Sequence, residues 1–417
     1  MIRHPWAVVV ALLASGLAPD RGSALAAQLV VDPRGPLTRL TDALRLAHPG
    51  ERILVRAGVY REPRIVVDRP VDIVGEGWPV FDGGENHEVF TVSADSVTIR
   101  GLVIRNSGVS ATEDRAGIKL IEVRGCVIEG NRFENTFFAI YLAKVSECRI
   151  AENRIRSAAQ SEALSGNAIH LWNSRNVVVE RNEVAGHRDG IYLEFTQTAH
   201  IIGNRSTHNL RYGLHFMFSN GCTYRENTFA ENGAGVAVMY SRDVSMEHNR
   251  FARNRGSAAY GLLLKEITDS RVTRNSFEDN TVGLYLEGAN RVAVTSNGFM
   301  DNGWAVRIMA DATDNEFSNN RFIGNGFDVA TNSTSASSTF DENYWDHYQG
   351  YDLDGDGYGD VPFAPVRLFS LVTEQHETTL ILLRSLFIDL LDLAERALPA
   401  LTPQTLTDRR PLMRPPV

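Results

Sequence analysis

An asparagine that returns about every 22 or 23 residues constrains the fold of this chain more than any other feature. An apolar residue follows it two positions later in nearly every repeat, and only the intervals from Asn153 to Asn182 and from Asn249 to Asn275 are longer. The repeated positions are Asn131, Asn153, Asn182, Asn204, Asn227, Asn249, Asn275, Asn297, Asn320 and Asn343. Units of this length cannot bury a hydrophobic face alone, so each must stack on its neighbours.

A second motif runs in the same phase: a small residue, an aliphatic residue, a variable residue and another aliphatic residue. It begins at Gly117-Ile118-Lys119-Leu120 and continues to Ala305-Val306-Arg307-Ile308. The period within each unit is two rather than 3.6, which indicates short strands and excludes leucine-rich and helical repeats. The sequence therefore predicts an all-β fold, a right-handed parallel β-helix solenoid in which each repeat forms one coil.

The repeated asparagines have a structural role in such a solenoid. Asparagine tolerates the left-handed backbone region, which suits a sharp turn, and stacked amides can hydrogen-bond to one another. We therefore expect these asparagines at the corners of the coils, where their side chains form a ladder.

The two ends of the repeat region look like caps. Leu37, Leu40, Ala43, Leu44 and Ala47 follow helical spacing, which predicts an N-terminal helix that covers the first coil. After the repeat, a long apolar stretch predicts a C-terminal helix with more apolar surface than one packed face can hide. The predicted organisation is a signal peptide at 1–26, the parallel β-helix at 28–345, a calcium-loop segment at 346–365, a C-terminal docking helix at 366–398 and a tail at 399–417.

The segment at 1–26 has the features of a secretory signal peptide. Arg3 precedes the apolar run at 6–17, and Ala24-Leu25-Ala26 supplies small residues for cleavage. The run is short for a bilayer span, although an N-terminal membrane anchor is the alternative. We expect the mature protein in an oxidising, extracytoplasmic compartment.

The period of two also predicts which side chains of the second motif point outward, namely its central residue and the residue two positions later. His215, Met217 and Met239 become neighbours on one outer face, and Glu194 and His170 lie one and two coils below in the same columns. Thioether and imidazole groups are ligands that suit Cu(I) and do not suit magnesium or calcium. We predict a Cu(I) transfer site at His215, Met217 and Met239, with His170 and Glu194 as further candidates.

The same residues have a second interpretation. Methionine and aromatic side chains on an outer face, Phe218 and Tyr240 included, also suit a protein contact surface without metal. His187 is expected at a turn or strand edge on the surface. Cys126, Cys148 and Cys222 share one inward column, where buried thiol packing is expected rather than a disulfide or a metal site.

An acidic loop follows the repeat region. Asp352, Asp354, Asp356 and Asp360 surround Gly357 at the spacing of a calcium loop, where alternate carboxylates meet around one hard cation. Position twelve of the loop is Phe363 rather than glutamate, so the pattern favours a structural calcium loop over a sensor. A simple acidic turn is the alternative.

Other classes of function have less support. The formal net charge of −9 disfavours nucleic acid as a partner. Parallel β-helices often carry lyase, hydrolase or uronate-epimerase sites on an outer face, so a carbohydrate-active enzyme is one alternative. Its best acid here is Asp189 beside His187, but no paired-carboxylate site is evident, and we predict that the protein is not an enzyme. A metal-free scaffold is the other alternative.

The stretch Arg211-Tyr212-Gly213-Leu214-His215-Phe216-Met217-Phe218-Ser219, the acidic loop followed by Val361-Pro362 and the apolar C-terminal segment complete a resemblance over the mature chain. The chain resembles the NosD-type periplasmic accessory proteins of nitrous-oxide reductase maturation. The resemblance implies a periplasmic copper-handling role in assembling the copper centres of that reductase. It also implies four partners, namely the membrane subunit and the ATPase of an ABC transporter, a copper chaperone and the reductase, with membrane association through the transporter.

Overall fold

The computed structural model describes residues 28–110, 112–158, 160–333, 338–367, 369 and 406–416. The predicted signal peptide at 1–26 and nearly all of the predicted helix at 366–398 lie outside the described residues. The predicted boundaries of the five segments stay predictions.

The described chain forms a parallel β-solenoid of about 14 turns with three parallel sheets and almost no helix, which confirms the predicted fold class. Sheet 1 contains 14 strands in chain order: Leu29–Val31, Glu51–Arg56, Val71–Glu76, Thr98–Arg100, Val127–Glu129, Arg149–Ala151, Val178–Glu180, His200–Ile202, Thr223–Arg225, Ser245–Glu247, Thr268–Thr273, Asn290–Thr295, Asn315–Ser318 and Ser338–Asp341. Sheet 2 contains 13: Val59–Tyr60, Val80–Asp82, Val103–Arg105, Arg132–Glu134, Arg154–Arg156, Glu183–Ala185, Arg205–Thr207, Thr228–Ala230, Arg250–Ala252, Ser276–Glu278, Gly298–Met300, Arg321–Ile323 and Tyr344–Trp345. Sheet 3 contains 12: Ile65–Val67, Phe90–Val92, Ala116–Ile121, Phe138–Ala143, Ile169–Trp172, Ile191–Glu194, Tyr212–Met217, Ala234–Met239, Tyr260–Lys265, Val282–Glu287, Trp304–Ile308 and Phe327–Thr331.

The core lies between the three sheets and is built from columns of like residues. Phe251, Phe277, Phe299 and Phe322 stack in successive coils of sheet 2, with ring centroids 4.7, 4.7 and 5.0 Å apart. These distances match the spacing of about 4.8 Å between strands, so one aromatic residue per coil fills the interior continuously. All four side chains are fully buried.

The repeated asparagines form the expected ladder. From Asn131 to Asn320, each donates one Nδ2 hydrogen to the Oδ1 of the asparagine in the next coil, at 2.9 to 3.1 Å. The expected backbone geometry is wrong in one respect. The residue before the asparagine, such as His248 or Arg274, takes the left-handed conformation, and the asparagine does not. The side chain of the asparagine therefore points inward, where its amide contacts the asparagine of the next coil.

The C-terminal end of the ladder is closed by the tail. The Oδ2 atom of Asp408 accepts hydrogen bonds from the backbone N and Nδ2 of Asn343 and from Nε1 of Trp345, at 3.0, 3.1 and 3.0 Å. Parallel bridges pair Phe340 with Asp408 and Tyr344 with Leu412, so the described part of the tail adds to the last coil.

The N-terminal end is covered by the α-helix Leu40–Leu46, which confirms the predicted cap helix. Its Leu40 and Ala43 side chains are fully buried on the first coil. The carboxylate of Glu62, later in the same chain, accepts hydrogen bonds from the backbone N of Leu40 and Thr41 at 2.7 and 3.0 Å, so it caps the first turn of the helix. A 3₁₀-helix spans Glu162–Leu164. Within the described ranges, no helix is long and apolar enough to cross a membrane.

Candidate metal sites

The outer face of sheet 3 brings the predicted copper residues together in the expected register. His215 pairs with Tyr192 of the preceding coil, and Met217 pairs with Glu194 below and Met239 above. His170 lies one coil below Tyr192. Neighbouring strands are about 4.8 Å apart, so these side chains share one continuous surface.

The two histidines are more buried than the sequence predicts. The predicted transfer site is partly exposed, whereas only 4% of His215 and 7% of His170 is accessible. The cause is ring packing: Tyr192 lies between the two imidazoles, stacked on His215 with centroids 4.5 Å apart and tilted against His170 at 4.7 Å. Because coil spacing equals stacking distance, aromatic rings in one outward column cover one another. Met217, Met239 and Glu194 stay half-buried.

His215 has an unusual environment for a buried histidine. Neither ring nitrogen has a hydrogen-bond partner among the described residues. Buried polar atoms are nearly always hydrogen-bonded, and an orphaned imidazole nitrogen therefore points to a ligand that completes it. The nearest charged group is Asp189, whose Oδ2 lies 3.6 Å from the Nδ1 of His215.

His170 and Glu194 form a second pair on the same face. The Nε2 of His170 lies 3.9 Å from the Oε2 of Glu194, too far for a hydrogen bond, and has no partner in the described part of the chain. Burial lowers the pKa of His170 to about 3, so its ring is neutral at physiological pH. Burial raises the pKa of Glu194 above its usual range, an effect that a nearby cation would reverse.

The sulfur of Met217 is held in place by its neighbour. The hydroxyl of Tyr192 donates to the Met217 Sδ at 3.6 Å, which orients the thioether toward the histidine column. Sequence reasoning did not assign a role to this tyrosine. A tyrosine one coil below and two positions earlier than a methionine is the signal that would have identified the contact.

An exposed aromatic column borders the methionines. Phe195, Phe218 and Tyr240 directly follow Glu194, Met217 and Met239 in the sequence and are 48%, 42% and 43% accessible. Their rings stack at 5.2 and 5.1 Å. Exposed rings of this kind are what a protein contact surface without metal, the second interpretation of the sequence, requires. The column adjoins the candidate copper residues.

The acidic loop brings three of its four aspartates together. Asp352, Asp354 and Asp356 each offer a carboxylate oxygen, and these oxygens lie within 4.8 Å of one another. The Asp352 carboxylate also accepts backbone hydrogen bonds from Gly355 and Gly357 at 2.7 and 2.9 Å. Gly355 and Gly357 have φ of 75° and 90°, which a side chain would strain.

The fourth aspartate of the loop is turned away. Asp360 accepts a hydrogen bond from the backbone N of Leu353 at 2.7 Å. Arg410 of the tail approaches the other side of the cluster, with its Nη2 atom 3.5 Å from the Oδ2 of Asp356. The guanidinium offsets part of the negative charge that a cation would otherwise balance.

The acid of the alternative enzyme site is not free. Asp189 is fully buried, and its carboxylate is paired with Arg211 through two hydrogen bonds. The prediction of a surface position for His187 is also wrong. The residue is 1% accessible because it lies one coil below Asn209, in the column of a second, shorter asparagine ladder. Its backbone N donates a hydrogen bond to the Oδ1 of Asn209. Cys126, Cys148 and Cys222 are buried free thiols, as expected.

Similarity to a named protein decides the family. Over 423 aligned residues, the chain is 30% identical to the probable ABC transporter binding protein NosD of Pseudomonas aeruginosa, covering 97% of this chain and 98% of the relative. The chain belongs to the NosD family. A NosD protein of Stutzerimonas stutzeri with the same description is 26% identical over 380 residues, or 86% of each chain. The model of the NosD family, described as a periplasmic copper-binding protein, matches residues 156–358.

The range matched by the family model covers the part of sheet 3 that carries the candidate copper residues. Residues 156–358 include every candidate copper ligand and the first three aspartates of the acidic loop. The NosD family is periplasmic and copper-binding by its description, and both relatives are named as binding proteins rather than enzymes. A copper-related accessory role is therefore supported for this family member.

Solved structures show the same fold. The catalytic domain of an α-1,3-glucanase superposes with a TM-score of 0.54 and 13% identity, covering 79% of this chain and 71% of the enzyme. At this identity the likeness concerns the solenoid alone.

Proposed function

We propose that this NosD family member accepts Cu(I) on the outer face of sheet 3 and passes it on during assembly of the copper centres of nitrous-oxide reductase. The proposal extends the periplasmic copper-binding description of the family to named residues. Its main support is the orphaned imidazole of His215 beside Met217. A protein core does not leave such a group unpaired without a cost of about 1–3 kcal/mol.

The ligand set determines which ion the surface selects. His215, Met217 and Met239 offer one imidazole and two thioethers, and soft ligands of this kind favour Cu(I) over harder cations. Three protein ligands leave one coordination position for a donor or an acceptor, as exchange requires. His170 and Glu194 offer a second imidazole and a carboxylate one to two coils away, where an ion could rest during transfer.

Copper titration of the mature protein tests the site. The triple variant His215→Ala, Met217→Leu and Met239→Leu should lose Cu(I) affinity at least about 100-fold in competition with a Cu(I) chelator, because all three soft ligands are gone. Met217→Leu alone keeps volume and apolarity, so its unfolding midpoint should match the parent. Met246→Leu, at a fully buried core methionine, is the matched control and should bind copper normally. A triple variant that binds like the parent would place the site elsewhere.

We further propose that the protein works with an ABC transporter, as the names of both relatives suggest. Its membrane subunit and ATPase would be the fixed partners, and a copper chaperone and the reductase the transient ones. The predicted helix at 366–398 would dock on the transporter, and the exposed aromatic column would meet a transient partner. Deletion of residues 373–398, which keeps the Asp408 tail that closes the last coil, should abolish co-purification with the transporter, whereas Phe218→Ser should weaken only copper transfer. Retained co-purification after this deletion would assign the contact to the solenoid.

The aromatic column also favours a second function, a contact surface without metal. Under that function, Phe195→Ser with Phe218→Ser would block maturation of the reductase while the copper-ligand triple variant would not. If copper is transferred at His215, the copper-ligand triple variant should block maturation, whereas the phenylalanine variants should only weaken it. Both sets of variants can be compared in one maturation assay.

We propose that the acidic loop binds calcium and stiffens the end of the solenoid. Asp352, Asp354 and Asp356 supply the converging oxygens, and Asp360 would complete the set after leaving the Leu353 amide. Millimolar calcium should then add roughly 1–3 kcal/mol of stability by linkage. Asp354→Ala with Asp356→Ala should remove that increment from thermal melts. The proposal fails if the double variant keeps the full calcium effect.

A further inference from the structure

Asp189 occupies a buried corner of the solenoid, directly before the strand that carries Tyr192 and Glu194. It is fully inaccessible, and its Oδ1 accepts hydrogen bonds from Arg211 Nε at 2.8 Å and from the backbone N of Tyr212 at 3.3 Å. A second Arg211 nitrogen binds Oδ2. The guanidinium of Arg211 thus forms a bidentate ion pair with the carboxylate, which favours its charged form. The carboxylate is therefore a fixed negative charge.

The fixed charge faces one edge of the His215 ring. Tyr192 stacks on the ring at 4.5 Å with planes 17° apart, and Tyr212 packs against it at 4.9 Å. These contacts hold the ring plane and leave the Nδ1 atom 3.6 Å from the Oδ2 of Asp189. At this length the contact is electrostatic rather than a hydrogen bond. A carboxylate at low dielectric favours the tautomer that places the N–H toward it.

We propose that Asp189 is a positioning residue that fixes the proton of His215 on Nδ1 and so presents Nε2 as the ligand atom. A carboxylate behind a ligating histidine is a common way to set its tautomer and its basicity. Arg211 keeps the carboxylate ionised and in place. The inference rests on the proposed function for the identity of the ligand, but the tautomer is a property of the metal-free protein.

Nitrogen NMR of the metal-free protein tests the tautomer directly. Selective ¹⁵N labelling of histidine, with His215→Gln to assign the signal, should show a protonated Nδ1 and an unprotonated Nε2 in the parent. Asp189→Asn should mix the two tautomers and weaken Cu(I) binding about 10- to 100-fold. Asp243→Asn, at an exposed corner two coils above, is the matched control and should change neither result.

A second variant protects the test against misfolding. Asp189→Asn leaves the half-buried Arg211 without its partner, whereas Asp189→Asn with Arg211→Gln removes both charges and keeps neutral hydrogen-bonding groups. The inference is overturned if His215 keeps the Nδ1–H tautomer in this double variant, or if the parent carries its proton on Nε2. Absence of Cu(I) binding by the parent would instead reject the proposed function, because the tautomer measurement uses no copper.

Discussion

Asp328 stands at a position where the earlier coils of sheet 3 carry only glycine or alanine, from Gly117 to Ala305. The residue is 5% accessible, and Nδ2 of Asn325 is its described hydrogen-bond donor, at 3.4 Å. Burial raises the pKa of Asp328 to about 7, although Arg367 opposes the shift. The last coil therefore contains a carboxyl whose protonated form is favoured by folding at acidic pH.

This carboxyl makes stability depend on pH. The folded pKa is above the unfolded value of about 3.8, so the native state holds a proton that the unfolded chain has released. Stability should fall as pH rises from 4 to 7, by roughly 4 kcal/mol in total. Asp328→Asn should remove this slope and be more stable than the parent at pH 8, with little difference at pH 4. Denaturant unfolding across this range measures it.

Asp341→Asn, at an exposed carboxylate in the adjoining strand, is the control and should leave the slope unchanged. Equal pH slopes in the parent and in Asp328→Asn would show that the buried carboxyl is paired more strongly than its neighbours indicate.

At the residue level, the sequence predicted which side chains point outward, but not how deeply neighbouring side chains bury them. A period of two assigns His215 and Met217 to the outer face because alternation alone decides it. The burial of His215 depends on the rings of Tyr192 and Tyr212 and on the match between coil spacing and stacking distance. The ion pair of Asp189 with Arg211 joins residues 22 positions apart. Only a stacked structure shows that such residues meet.

At the level of structural elements, the asparagine ladder needs an acceptor for the donors of its last residue. Every ladder asparagine before Asn343 donates to the asparagine of the next coil, whereas Asn343 donates to Asp408 of the tail. One carboxylate oxygen thus satisfies three donors that would otherwise face an open end. The sequence predicted the ladder from its period, but not this closure, because Asp408 follows Asn343 by 65 residues and belongs to no repeat.

Loss of this acceptor should be costly. Asp408→Ala leaves the backbone N and Nδ2 of Asn343 and the indole N–H of Trp345 without a partner, which should cost about 2–4 kcal/mol. Asp408→Asn keeps an amide oxygen that can take the same position, so its loss should be about 1 kcal/mol. Thermal unfolding and limited proteolysis of the tail measure both. Equal losses in the two variants would mean that charge, rather than the acceptor, holds the tail.

The whole molecule behaves as a stack in which each coil contacts its two neighbours. Deletion of residues 276–297, which form one whole coil, should therefore leave a folded solenoid, because Phe251 would stack on Phe299 and Asn275 would meet Asn320. We expect cooperative melting at a somewhat lower temperature and unchanged Cu(I) affinity, since the candidate copper residues lie in earlier coils. Circular dichroism and copper titration check both expectations.

Deletion of residues 276–286 removes half a coil and is the matched comparison. It shifts inward columns onto corners, so the stacked phenylalanines and the ladder no longer align and the solenoid should not fold cooperatively. If the full-coil deletion is as damaging as the half-coil deletion, contacts between distant coils contribute more than the stack indicates.

The direction of the asparagine ladder gives the solenoid an electrical axis. Each of the ten amides donates one Nδ2 hydrogen toward the C-terminal end, and its oxygen accepts from the N-terminal side, so the carbonyl dipoles add along a row of nine coil steps, about 43 Å at the usual strand spacing. The positive end of this row meets the carboxylate of Asp408, as an anion meets the N-terminus of a helix. Two copies placed end to end in opposite directions would bring like poles together, so the ladder favours partners that approach the two ends differently.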